Sequence, residues 1–210
     1  MIKNDDYVQP YKVVYFDEGN MLRSVFAEII TNNEWRKVNV RLRKSGGGVS
    51  RNKATGGPLM PIALSGGLWR KKPEEDNITQ YDNWIKDKEK LERFCEIHGI
   101  NISELSKRKK VQVSEKLLDG ADVIYGFTDG EIDELKKRFP QYRNIIKKFS
   151  DMSDIKRVDF EDHSTRFDFT KVLETLTSIQ AVIQNRRNEI VVKSELTQRP
   201  SPFSGGLEGW

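Results

Sequence analysis

Cysteine is nearly absent: a single one, Cys95, occurs in 210 residues. That excludes an internal disulfide framework and a cysteine-based zinc cluster, and it fits a reducing, cytoplasmic setting. Long apolar runs are also missing. Nothing reaches the ~18 consecutive apolar residues of a membrane span, and Met1 to Asp6 lacks the apolar core of a secretory signal. Neither of the common nucleotide-loop spacings, GxxxxGK[ST] or GxGxxG, occurs, so a nucleotide-binding loop has no support. No recognisable enzyme motif is present either, and no cofactor is implied.

A third scarcity is local. Between Arg36 and Lys72 there is no Asp or Glu, while Arg36, Lys37, Arg41, Arg43, Lys44, Arg51, Lys53, Arg70, Lys71 and Lys72 are all basic. The chain as a whole carries only +4. A segment that cannot neutralise itself calls for acidic neighbours, solvent or a polyanion, and these ten side chains are the candidate contacts to DNA or RNA or to an acidic protein. Trp35 and Trp69 flank the segment, where they could stack on bases or anchor a small core.

Charged residues make up 32% of the chain and hydrophobic ones 36%, which suits a folded protein with a modest core. Tyr11 to Phe16 is a β-branched and aromatic run ending at Asp17-Glu18-Gly19-Asn20, which reads as strand and hairpin turn. Met21 to Ile30 then fits either a returning strand or an amphipathic helix; the turn chemistry favours the strand. Trp35 to Lys44 alternates, with Val38, Val40 and Leu42 opposite Lys37, Asn39, Arg41 and Arg43, and predicts a half-buried strand with a basic outer face. A flexible glycine-rich segment follows from Ser45.

Helical signals dominate after Pro73. Asn83 to His98 carries Trp84, Ile85, Leu91, Phe94 and Cys95 near helical spacing. Thr128 to Glu131 is a capping box, with Phe127 and Ile132 as a staple, opening a helix to about Phe139; Pro140 would start the next, Gln141 to Phe149. After a polar connection, Phe169, Val172, Leu176, Ile179 and Ile183 form a seam on a helix spanning about 168–188. The expected fold class is α+β: a small antiparallel β-sheet region, a mainly helical region, one long C-terminal helix and an extended tail. The corresponding divisions are 1–72, 73–160 and 161–210.

Leu91 to Lys110 resembles the helix-turn-helix family of DNA-binding proteins, with Cys95 at its small-residue position, Gly99 at the turn, and Ile100 and Leu105 as core contacts. The resemblance implies a recognition helix over Ser103 to Lys110 in the major groove; His98 and Arg108 depart from the family's apolar pattern. Tyr125 to Glu131, with Ile145 to Arg157, is similar to a segment of DNA-recognition domains in adenine-methylating restriction enzymes. Asp159, Glu161, Asp162 and His163 form a polar cluster of the kind common in loops, and no metal is assigned to it. Cys95 with His98 lacks the third partner of a nucleophilic site.

These features predict a non-enzymatic structural subunit of a larger assembly, such as a virion or nucleoprotein particle, located in the cytoplasm or the virion. Its basic segment would meet nucleic acid or an acidic neighbour, and Phe203, Leu207 and Trp210 would anchor an extended arm on other subunits of a homo- or hetero-oligomer. A free DNA-binding protein using the helix-turn-helix-like segment is the alternative.

Overall fold

In the computed structural model, residues 10–20, 22–44, 62–68, 88–101, 103, 110–152 and 169–196 are described. Strand β1 spans Lys12–Asp17, helix α1 Arg23–Lys44, β2 Ile62–Gly67, α2 Lys88–Ile97, α3 Glu115–Leu118, β3 Val123–Gly126, α4 Asp129–Arg138, β4 Ile146–Lys148 and α5 Phe169–Leu196. The four strands form one sheet in the order β2-β1-β3-β4. Every pairing is parallel: Val14 lies opposite Leu64 on one side and Ile124 on the other, and Ile124 opposite Ile146.

This is an α/β fold, which corrects the expected antiparallel sheet. The turn after Tyr11–Phe16 does not reverse the chain into a second strand. Parallel neighbours require a crossover, and α1 supplies it. Residues 23–30 and 35–44, expected as strands, are both helical. The spacing of Val25, Phe26 and Ile30 is that of one helix face, and all three are buried. Trp35 is also buried, anchoring the core rather than presenting a ring for base stacking.

β1 explains its own composition. Val13 and Tyr15 enter the core shared with α1 and α5, while Val14 and Phe16 enter a second core with Leu118, Ile132 and Leu135. A strand covered on both faces has no polar face to alternate with, so it reads as a continuous apolar run.

The capping box is present: Thr128 Oγ1 accepts from the Glu131 N–H, and the Glu131 carboxylate accepts from the Thr128 N–H. Pro140 opens only a short 3-10 turn, Pro140–Tyr142, and Ile146–Lys148 is the edge strand β4 where a helix was expected. In α5, Val172, Leu176, Ile179 and Ile183 are buried against the α1 side of the sheet. The expected seam therefore packs within the chain. Among the described residues no helix is long and apolar enough to cross a membrane.

Candidate active site

The strand order places a switch point at the carboxyl ends of β1 and β3. The chain leaves β1 toward β2 and leaves β3 toward β4, in opposite directions, so the loops after β1 and β3 flank this point. Ligands of open parallel sheets bind at such points.

The β1 loop is built around an anion. Asp17, the last residue of β1, is buried at 3% exposure. Its Oδ1 accepts from the Asn20 N–H at 2.5 Å and its Oδ2 from the Ser24 N–H at 3.0 Å. Helix α1 starts at Arg23 and has no acidic residue in its own first turn; Asp17 supplies the negative charge favoured by the unpaired N–H groups and dipole of a helix N-terminus.

Asn20 holds the loop in shape. Its φ of 49° lies in the left-handed region, which asparagine tolerates better than most side chains. Its Nδ2 donates to Ser65 Oγ at 2.9 Å and to Ser24 Oγ at 3.2 Å, and its Oδ1 accepts from the Val111 N–H at 2.7 Å. The loop is thus tied to β2 and to the segment before α3. Gly67 lets it come that close: a Cβ there would lie 2.8 Å from Asn20 N and 2.9 Å from the Gly19 carbonyl carbon.

Between the two loops, Arg23 Nη2 donates to Glu131 Oε1 at 2.7 Å, in a pair whose side chains are 3% and 8% exposed. The guanidinium also lies 5.5 Å from the Phe127 ring centroid. Glu131 Oε2 accepts from the Phe127 and Thr128 N–H groups, each at 3.0 Å. Burial pushes the Glu131 carboxyl above its ordinary value, and the Asp17 charge adds to the rise; Arg23 and the two amides oppose it. At the rim, Lys148 Nζ at the end of β4 lies 2.9 Å from the Asp129 carboxylate, which is 78% exposed.

The chain's one thiol is elsewhere. Cys95 is buried in the core among α2 residues, and burial, with the nearby Glu92 adding, pushes it up to about 12. Among the described residues no cluster of His, Cys, Asp and Glu is arranged to hold a metal.

Most of the residues expected as contacts lie away from this site or outside the described set. Arg36 and Lys37 are exposed on α1, with Lys37 Nζ 2.8 Å from Glu34 Oε1. Arg41, Arg43 and Lys44 lie in the last turns of α1, and their side chains are outside the described residues, as are Arg51, Lys53, Arg70, Lys71, Lys72, Trp69, the 159–163 cluster, Phe203, Leu207 and Trp210. Of the expected recognition helix only Ser103 and Lys110 are described; Cys95 and Ile100, assigned to its hairpin, are buried in the core with Phe26. By sequence pattern Asp17 and Arg23 belong to a turn and a strand, and Glu131 to a helix cap.

No family model matches the chain, and no curated protein matches it. Solved structures do share its fold. One is a YwlE arginine phosphatase, a cysteine-to-serine mutant with a phosphorylated active-site serine: TM-score 0.56 and 13% identity, covering 88% of this chain and 99% of that one. Another is a low molecular weight protein tyrosine phosphatase from T. tengcongensis, with TM-score 0.55 and 17% identity over 87% of this chain and 98% of that one. A third, Vibrio vulnificus Wzb in complex with benzylphosphonate, has TM-score 0.58 and 16% identity over 85% and 98%. The α/β fold of this chain is therefore the one seen in low molecular weight tyrosine phosphatases. This corrects the expectation of a non-enzymatic assembly subunit or virion component, and of a helix-turn-helix DNA-binding protein: several of the solved structures that share this fold are phosphatases.

Proposed function

We propose that the chain is a phosphatase that hydrolyses phosphate monoesters using Asp17 as an oxygen nucleophile. The observation that carries the reading is the Asp17 carboxylate itself, which accepts from the Asn20 and Ser24 N–H groups where β1 passes into α1 at the sheet's switch point. Such a loop suits a phosphoryl group as well as a carboxylate, because both are anions that accept from backbone amides at a helix N-terminus.

An oxygen nucleophile is compatible with this fold. The arginine phosphatase mutant carries phosphate on an active-site serine, so an oxygen atom in that protein's site accepts a phosphoryl group. Aspartate does the same chemistry in enzymes that form an aspartyl phosphate. Cys95, buried and pushed up to about 12, supplies no thiolate near neutral pH.

In the proposed reaction one carboxylate oxygen of Asp17 attacks phosphorus while the bond from phosphorus to the ester oxygen breaks. The departing alkoxide or phenoxide takes a proton from water. Water then attacks phosphorus of the acyl phosphate, the bond between phosphorus and Asp17 breaks, and inorganic phosphate leaves with the carboxylate restored. The Asn20 and Ser24 amides hold the two Asp17 oxygens and would stabilise the carboxylate as it is restored when phosphate leaves. Arg23, the first residue of α1, provides the nearby positive charge.

Steady-state hydrolysis of p-nitrophenyl phosphate tests the reading. Asp17→Asn is expected to lower turnover by about a thousandfold or more, with the fold retained. Equal turnover in the variant and the parent would contradict it.

A further inference from the structure

Arg23 is the cation nearest the Asp17 loop in sequence and the first residue of its helix, yet its guanidinium is bonded to a carboxylate, Glu131 Oε1, at 2.7 Å. Glu131 divides its work between two oxygens. Oε2 closes the start of α4 by accepting from Phe127 and Thr128, and Oε1 faces Arg23. The cap needs an acceptor and no charge, since glutamine serves at this position of a capping box as glutamate does. The negative charge therefore bears on Arg23.

We propose that Glu131 is a specificity-determining residue of this site: it occupies Arg23 as an internal anion, and a phosphoryl group reaches the guanidinium only by displacing it. The proposal rests on the reading of the Asp17 loop as a phosphoryl site. Glu131 already holds the positive charge that a substrate needs, and the negative charge of Asp17 also acts at the Glu131 carboxyl. A phosphate dianion carries enough charge to compete for Arg23; a singly charged carboxylate offers no more than Glu131 already gives. Transfer of the phosphoryl group to Asp17 would enlarge the negative charge on the β1 side and draw Arg23 across from Glu131. The site is thus selective for strongly anionic groups at the cost of affinity.

Calorimetric titration of the full chain with inorganic phosphate tests this, comparing the parent, Glu131→Gln and Thr128→Ala. Glu131→Gln keeps the cap and removes the competing charge, so phosphate should bind about tenfold tighter or more. Thr128→Ala weakens the cap and leaves the Arg23–Glu131 pair, so phosphate affinity should stay at the parent value while the melting temperature falls. Unchanged or weaker binding by Glu131→Gln overturns the proposal. So does equal tightening by Thr128→Ala, which would assign the effect to a loosened helix. Phosphate transfer to Asp17 is scored separately: labelling of Asp17 with no change on Glu131→Gln removes the role of Glu131 and leaves the nucleophile standing. Tighter phosphate binding without labelling supports Glu131 and removes the nucleophile.

Discussion

Asp17, Arg23 and Glu131 are all buried, and each is stabilised by a different means. Backbone amides hold Asp17, Glu131 holds Arg23, and a helix cap holds Glu131. The raised Glu131 carboxyl has a consequence for stability. A carboxyl that holds its proton more tightly in the folded state favours folding while protonated, and that contribution is lost as pH rises from the ordinary carboxylate value through the raised one. Thermal melts across that window should therefore show a downward slope with pH that Glu131→Gln lacks. A slope that persists in Glu131→Gln would assign it to other carboxyls. Cys95 gives a second residue-scale prediction. Its burial and elevated thiol value make it inert, so iodoacetamide at neutral pH should leave both the thiol and hydrolysis of p-nitrophenyl phosphate untouched until the protein is unfolded. Loss of hydrolysis in step with alkylation of the native protein would point to a thiol mechanism.

At the scale of elements, the site depends on how closely the β1 loop approaches β2. Gly67→Ala would set a Cβ against the backbone of Gly19 and Asn20, and the loop must move to relieve it. The expected cost is about 1–3 kcal/mol of stability, with hydrolysis lost alongside; chemical denaturation and the phosphatase assay on the same preparation check both, and a fully active, equally stable Gly67→Ala would contradict this account of the loop. Part of this architecture was legible in the sequence. The Tyr11–Phe16 strand, the Thr128–Glu131 cap and the long C-terminal helix each carry a local signal, and each is present. The β1 turn misled because Asp-Glu-Gly-Asn serves a hairpin and a strand-to-helix loop equally well; only the partner strand decides, and β2 begins 45 residues after the end of β1. A signal was available in the unbroken apolar run of β1, which marks a strand buried on both faces and hence a crossover. The helical spacing of Val25, Phe26, Ile29 and Ile30 agreed with it. The pairing of Arg23 with Glu131, 108 residues apart, had no local trace at all.

The whole molecule is organised by the sheet, with one core on each face. Val13 and Tyr15 of β1 join the α1 and α5 side, and Val14 and Phe16 the side covered by α3 and α4. Because the site is assembled from loops at one end of this sheet, damage to either core should reach it. Leu176→Ala, at a fully buried position of α5 packed with α1 residues, should cost about 2–5 kcal/mol and lower the melting temperature of the whole fold in one transition. Two separate transitions would show that the cores unfold independently. The fold itself is shared with phosphatases at 13–18% identity, and the one cysteine of the chain is in the core rather than at this site. The central claim is that Asp17 receives the phosphoryl group. Acid quenching during turnover of p-nitrophenyl phosphate, followed by peptide mapping, tests it most directly. The expected result is a phosphate adduct on the peptide containing Asp17 that hydroxylamine removes and that Asp17→Asn does not form. Hydrolysis that proceeds with no adduct at Asp17, or with the adduct on another residue, would contradict it.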